Sequence, residues 1–187
     1  MSQLLGTEPK IIITDTSVLI NFLRIDRADL LNQYPGKFLI TDHVISEVTI
    51  HYPSQHKKFH DLIAAGLFEL TTVDHPEELR LYTTLRKSGR LGSGECSAIA
   101  CAIHRGYLLA MDDKLARKQA EKFCSTLNLL STTDIILNLI LHGSLSTLEA
   151  DAIKENWQNR HRFTIKLKSF EDMMLNQQRL FRAASGG

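Results

Sequence analysis

Cysteine is scarce: Cys96, Cys101 and Cys124 are the three present in 187 residues, and no two form a C-x-x-C pair. An odd count without paired spacing argues against a disulfide framework and suits a reducing compartment. We expect all three to be buried as small apolar residues. An excess of charge is missing too, since 22 Lys+Arg stand against 21 Asp+Glu, a formal net charge of +1. That balance excludes a uniformly basic nucleic-acid coat, so any polyanion site must be local. Long apolar runs are absent: the longest apolar-rich stretch, residues 135–141, is broken by Asn138 and is too short to span a bilayer. The opening MSQLLGTEPK has no basic segment leading into an apolar core. Neither an export signal nor a membrane partner is expected, and the cytoplasm is the expected location.

What is present suits a compact α/β protein. With 43% hydrophobic residues, a chain of this size can bury roughly 70% of the surface its unfolded form exposes, so no structural staple is needed. The β-branched run Ile11-Ile12-Ile13 lies between Pro9 and the polar Asp15-Thr16-Ser17 and reads as a strand buried on both faces. Further short apolar runs at 38–40, 67–73, 107–110 and 127–130 read as strands. Helical spacing separates them: Val44, Ile45 and Val48; Ala98, Ile99 and Ala102; Leu115, Ala116, Ala120 and Phe123. Strands alternating with helices imply right-handed crossovers and a mainly parallel sheet covered on both faces, the three-layer α/β/α arrangement.

After Gly143 the character changes. Leu145, Leu148, Ile153 and Trp157 suggest one more helix, and residues 154–168 carry five Lys/Arg and one Glu. A terminal helix is expected from Phe170 to Phe181, with a frayed tail from about Ala183. The expected organisation is therefore a main domain over residues 1–145 and a helical extension over 146–187, packed on the same domain.

Acidic residues carry the chemical signal. Asp15 directly follows the first strand, and the carboxyl edge of a parallel sheet is where open α/β folds place their sites. Its plain alternative is a helix cap. Asp112 and Asp113 repeat the pattern after the strand at 107–110; a cap accounts for one of them and leaves the second over. Glu47 lies beside the apolar Val48, and Glu95 begins a helix opened by Gly92-Ser93-Gly94. Each glutamate alone reads as an ordinary helix charge. Together the acids can converge above one sheet edge, where like charges stay ionised only around a cation. Oxygen donors without Cys or His at metal spacing select Mg²⁺ or Mn²⁺, and such a centre can activate water against a phosphodiester.

The run IIITDTSVLINF, the helix containing Ser46-Glu47, the block LGSGECSAIACAIHRG and the block YLLAMDDKLARKQAEKF resemble, in order and spacing, the four acidic segments of PIN-domain nucleases. LGSGE followed by AIA and MDDKLAR is similar to the prokaryotic branch that includes VapC-type toxins. The resemblance spans residues 10 to 142 or so, and DTSVL and DDKLAR are its most specific parts. It implies an α/β/α fold and a metal-dependent endoribonuclease, the toxin of a toxin-antitoxin pair. By the same resemblance Asp15, Glu47, Glu95 and Asp112 are catalytic and metal-binding residues, with Asp113 a fifth metal candidate. An RNA substrate, an antitoxin protein partner and a homodimer follow from it as well. Glu95 stands where the family often has Asp, and the segment after Gly143 exceeds what a minimal PIN domain needs.

Competing chemistries fit less well. A haloacid-dehalogenase phosphatase would need an acid where Ser17 stands. No Gly-rich phosphate loop follows the first strand. His51, His56 and His60 lack partners for a tetrahedral zinc set. The serious alternative is a catalytically weak PIN-like domain acting as a nucleic-acid-binding or assembly module.

Overall fold

A computed structural model of the chain describes residues 10–176. The run Ile11–Ile13 forms β1 (Lys10–Thr14), and Asp15 opens α1 (Thr16–Arg24) by accepting the Val18 N–H at 3.1 Å. A short α2 (Asp29–Gln33) leads into β2 (Gly36–Thr41). The Thr41 hydroxyl accepts the Val44 N–H and starts α3 (Asp42–His51). Helix α4 (Pro53–Ala64) and α5 (Pro76–Lys87) each begin with proline at the first turn, where its missing N–H costs nothing. Between them lies β3 (Glu69–Thr71).

Helix α6 (Ser93–Arg105) ends at Gly106, whose φ of +68° is the left-handed conformation that glycine adopts freely. Strand β4 (Leu108–Ala110), α7 (Lys114–Phe123), capped by Asp113, and β5 (Leu129–Leu130) follow. Helix α8 (Thr132–Leu141) and α9 (Thr147–His161) complete the named elements.

All five strands pair in parallel, in the order β3-β2-β1-β4-β5, flanked by helices. This is the expected α/β architecture. The chain moves outward from β1 through β2 to β3, then returns to place β4 on the other side of β1. A topological switch point therefore lies between β1 and β4, where open parallel sheets leave a crevice at their carboxyl ends. The register sets Thr14 opposite Ala110, so Asp15 and the Met111-Asp112-Asp113 turn emerge side by side. Ile13, Leu39 and Leu109 meet Ala98, Ile99 and Ala102 of α6 in one buried cluster. The small residues on that face let the helix approach the sheet closely.

The described residues fall into two compact units that divide between Thr132 and Thr133. The first holds the sheet. In the second, Ala150, Ile153 and Trp157 form the buried stripe of α9, and residues 170–176 are helical. The Asp151 carboxylate accepts the Phe170 N–H at 2.7 Å and the Glu171 N–H at 3.3 Å, fixing the start of that last helix. The remainder of the expected helix to Phe181 and the expected tail lie outside the described residues. Among the described residues no helix is long and apolar enough to cross a membrane.

Burial differs from expectation in four places. Leu148 is 80% exposed because it lies opposite the stripe of Ala150, Ile153 and Trp157 on α9. On α7 the buried positions are Ala116 and Ala120; Leu115 lies about 100° round the axis from Ala116, and Phe123 is the helix's last residue. Both are exposed. Cys96 and Cys101 are buried, whereas Cys124, past the end of α7, is only half-buried, with its sulfur 3.5 Å from the Thr126 hydroxyl.

Candidate metal centre

Asp15 is fully buried at the end of β1. Besides capping α1, its two oxygens lie 2.9 and 2.7 Å from the Ser17 hydroxyl, which donates to them. Ser17 Oγ also accepts the Asp112 N–H at 3.2 Å, so one side chain ties the end of β1 to the turn after β4. Burial pushes the Asp15 carboxyl up to about 8; the Val18 N–H and Ser17 pull it down, and the charges of Asp112 and Glu95 raise it again. Both of those neighbouring charges are negative.

Asp112 and Asp113 divide the two roles that the sequence left open. Asp113 accepts the Ala116 N–H at 2.8 Å and caps α7. Asp112 turns the other way. One of its oxygens accepts the Thr132 N–H at 2.9 Å; the other accepts the Thr132 hydroxyl at 2.5 Å and the Asn21 amide at 2.9 Å. Its pKa is raised, mainly by burial, against the opposing influence of Thr132, Asn21 and the Arg117 charge. Arg117 itself donates to the Met111 carbonyl at 2.8 Å, bracing the turn.

The two glutamates meet at the start of α6. Glu95 reaches back to accept the Gly92 N–H at 2.8 Å, closing the first turn. Burial raises its pKa, opposed by that hydrogen bond and reinforced by the charges of Asp113 and Glu47. Glu47, from the middle of α3, accepts the Thr16 hydroxyl at 2.7 Å through one oxygen. Its other oxygen accepts the Ser93 hydroxyl at 3.1 Å and the Gly94 N–H at 2.8 Å. A Cβ on Gly94 would stand 2.5 Å from Glu47 Oε2, and one on Gly92 would stand 2.7 Å from Glu47 Oε1. Glycine is required at both positions for the backbone to come this close to a carboxylate.

The fold thus brings Asp15, Glu47, Glu95, Asp112 and Asp113 into mutual electrostatic range at the sheet's carboxyl edge. As they stand, no three His, Cys, Asp or Glu side chains among the described residues group closely enough to hold a metal ion. The donor chemistry nevertheless fits a hard divalent cation. All the donors are carboxylate oxygens, and the deepest of them is surrounded by like charge. Sequence reasoning did not single out the residues that hold these acids: Thr16, Ser17, Asn21, Ser93 and Thr132. Of these, Thr16, Asn21 and Thr132 are buried, and the signal in sequence is a polar residue inside or beside an apolar run, as with Asn21 in VLINFL.

A family model described as PIN domain matches residues 11–167. The chain belongs to the PIN-domain family. The match runs past both acidic aspartates and through α9, so most of the segment after Gly143 falls within it. PIN domains are generally nucleases that use divalent metal ions. Among solved structures, the fold is similar to PAE2754 from Pyrobaculum aerophilum, at 12% identity, covering 75% of this chain and 94% of that one, with a TM-score of 0.50. It is also similar to a PilT N-terminus domain protein from the archaeon Sulfolobus solfataricus P2, at 18% identity, covering 73% and 94% of the two chains, with a TM-score of 0.46. A third likeness is to VapBC2 from Rickettsia felis bound to a DNA fragment from its promoter, at 16% identity, covering 65% and 98%, with a TM-score of 0.44. No curated protein sequence matches the chain.

Proposed function

We infer that this PIN-domain protein is a divalent-metal-dependent endoribonuclease whose cation, Mg²⁺ or Mn²⁺, is held by Asp15, Glu47, Glu95 and Asp112. The observation that carries the reading is Asp15: a fully buried carboxylate at the switch point, pushed up to about 8, with the charges of Asp112 and Glu95 facing it. Without a cation this group takes its charged form only at a cost, and carboxyls perturbed this strongly cluster at functional sites. When bound, a divalent ion would lower the pKa of a water and offset charge developing on a phosphodiester.

The chain's own residues have distinct tasks in this reading. Asp15 and Asp112 supply paired carboxylates from adjacent strand ends, and Ser17 fixes their spacing. Glu47 holds the Gly92-Ser93-Gly94 turn against the start of α1, which sets Glu95 over the same edge. Asp113 adds negative charge beside Glu95. Residues 1–145 form the nuclease part and 146–187 an appended helical segment. The protein acts in the cytoplasm as the toxin of a toxin-antitoxin pair, works as a homodimer, and is restrained by an antitoxin protein.

One observation favours the alternative of a catalytically weak binding or assembly module: every carboxylate of the set already accepts hydrogen bonds from protein donors, and no three gather as a cage among the described residues. Asp15→Asn separates the two readings. Asparagine caps a helix about as well as aspartate, so the fold survives. Loss of the charge should lower single-stranded RNA cleavage in Mn²⁺ about a thousandfold, the equivalent of ~4 kcal/mol. Cleavage within about threefold of wild type, with an unchanged circular dichroism spectrum, would remove Asp15 from the active centre.

A further inference from the structure

Asp112 sits two residues beyond β4, in the irregular turn before α7. The last ladder hydrogen bond ahead of it is Met111 N–H to the Leu130 carbonyl at 2.9 Å, and the next residue is already committed to capping α7. Regular backbone therefore does little to fix the direction of its carboxylate. Repulsion from Asp15 would turn it away from the sheet edge.

Thr132 opposes that. It is fully buried, and it grips both oxygens of Asp112: its N–H donates to one at 2.9 Å and its hydroxyl to the other at 2.5 Å. The hydroxyl is itself oriented, because the Asn21 amide lies 3.3 Å from Thr132 Oγ1 and donates to it while also donating to Asp112 at 2.9 Å. With its lone pairs facing Asn21, the hydroxyl proton points at Asp112. The arrangement spans 111 residues of sequence between Asn21 and Thr132, so it is a product of the fold and not of local geometry.

We propose that Thr132, supported by Asn21, is the positioning residue that holds the Asp112 carboxylate toward the cation site. The inference rests on the metal-dependent reading above. Groups that orient a ligand from behind commonly contribute 10- to 100-fold to metal affinity.

The test compares full-length wild type, Thr132→Val and Thr132→Ser, each stripped with chelator and titrated with Mn²⁺, with free Mn²⁺ read by electron paramagnetic resonance. Valine keeps the shape and the backbone N–H and removes only the hydroxyl; serine keeps the hydroxyl. Thr132→Val should bind Mn²⁺ about tenfold or more weakly, and Thr132→Ser should recover binding to within about threefold of wild type. Cleavage should follow the same order. A Thr132→Val protein that binds Mn²⁺ like wild type overturns the positioning role and leaves the nuclease reading intact. Wild type that binds no Mn²⁺ overturns that reading, and the inference falls with it. Should Thr132→Val fail to fold, Asn21→Leu removes one donor to the same carboxylate oxygen and should weaken Mn²⁺ binding by a smaller factor; unchanged affinity there counts against the proposal.

Discussion

The strand-end aspartates and the helix-borne glutamates of the acidic edge solve the same electrostatic problem in different ways. Asp15 and Asp112 come from adjacent strand ends, the first fully buried and the second half-buried, and each is held by one backbone N–H and by side chains that the fold collects from α1 and the start of α8. Glu47 and Glu95 come from helices and meet at one glycine-rich turn, where Glu95 accepts the Gly92 N–H and Glu47 accepts the Gly94 N–H together with the Ser93 and Thr16 hydroxyls. Backbone N–H groups at a helix start carry partial positive charge and favour a carboxylate without any cation. Each of the four accepts one backbone N–H, from Val18, Thr132, Gly94 or Gly92, so what sets Asp15 apart is full burial beside the charges of Asp112 and Glu95. The unrelieved cost of the site therefore lies at Asp15, at the switch point, while Glu47 also anchors the turn that carries Glu95.

The largest expected effect breaks the comparison at Asp15. Its folded pKa of about 8 lies above the unfolded value of 3.8. The unfolded chain therefore releases this proton first, so in chelator the stability it allows is full below about pH 4 and is lost as pH rises toward 8. Asp15→Asn has no such proton to lose. Melting curves in chelator should coincide for the two proteins near pH 4, and the variant should melt several degrees higher near pH 8. Saturating Mn²⁺ should raise the wild-type melting temperature at pH 8 and leave the variant nearly unmoved. Equal melting temperatures for wild type and Asp15→Asn at pH 8 in chelator would show that burial of this charge is already compensated.

Much of this contrast is legible in the sequence. Asp15 stands at the end of an apolar run and ahead of a helix, which reads both as a cap position and as a site position; it caps α1 from the carboxyl edge of the sheet. The pair Asp112-Asp113 is readable as one cap plus one remainder, because a helix start needs only one acceptor at that place. What is not legible depends on long-range contact. Nothing near Asp112 in sequence names Thr132 or Asn21, and Gly94 looks like any turn glycine until Glu47 is seen to press on it. Burial on α7 departs from the sequence pattern for a related reason. A short apolar set at helical spacing fits two neighbouring stripes, and only the sheet decides that Ala116 and Ala120 face inward while Leu115 does not.

A smaller effect sharpens the glutamate side. Gly94→Ala puts a methyl group where Glu47 Oε2 and Thr16 Oγ1 now lie, at 2.5 and 3.0 Å. The carboxylate must swing out and give up the Gly94 N–H and Thr16 hydrogen bonds. Overpacking of this kind costs about 1–3 kcal/mol, roughly 2–10 °C of melting temperature for a chain of this size. Cleavage should fall as well, because Glu95 loses its placement, but by less than in Asp15→Asn. A variant with wild-type melting and wild-type cleavage would show that the close approach is incidental. If cleavage dropped as far as in Asp15→Asn with no loss of stability, Glu47 would contribute as a ligand more than as a scaffold.

The smallest effect belongs to Asp113, and it tests where the acidic set ends. Its carboxylate is exposed and accepts the Ala116 N–H at the start of α7. Asparagine keeps that acceptor, so Asp113→Asn should cost no more than about 0.5 kcal/mol in thermal unfolding. Removing its negative charge also relieves Glu95, whose pKa is raised by burial first and by Asp113 among the charges. Two consequences follow: Glu95 should titrate at lower pH in the variant, visible in a carboxyl-carbon NMR titration, and cleavage should stay within a few-fold of wild type. Asp112→Asn, one residue earlier, should lose cleavage nearly as completely as Asp15→Asn, because its carboxylate is held by Thr132 and Asn21 within range of Asp15 and does not cap the helix. If the two neighbours instead lose activity alike, the cap of α7 is also a ligand and the metal set has five members, not four.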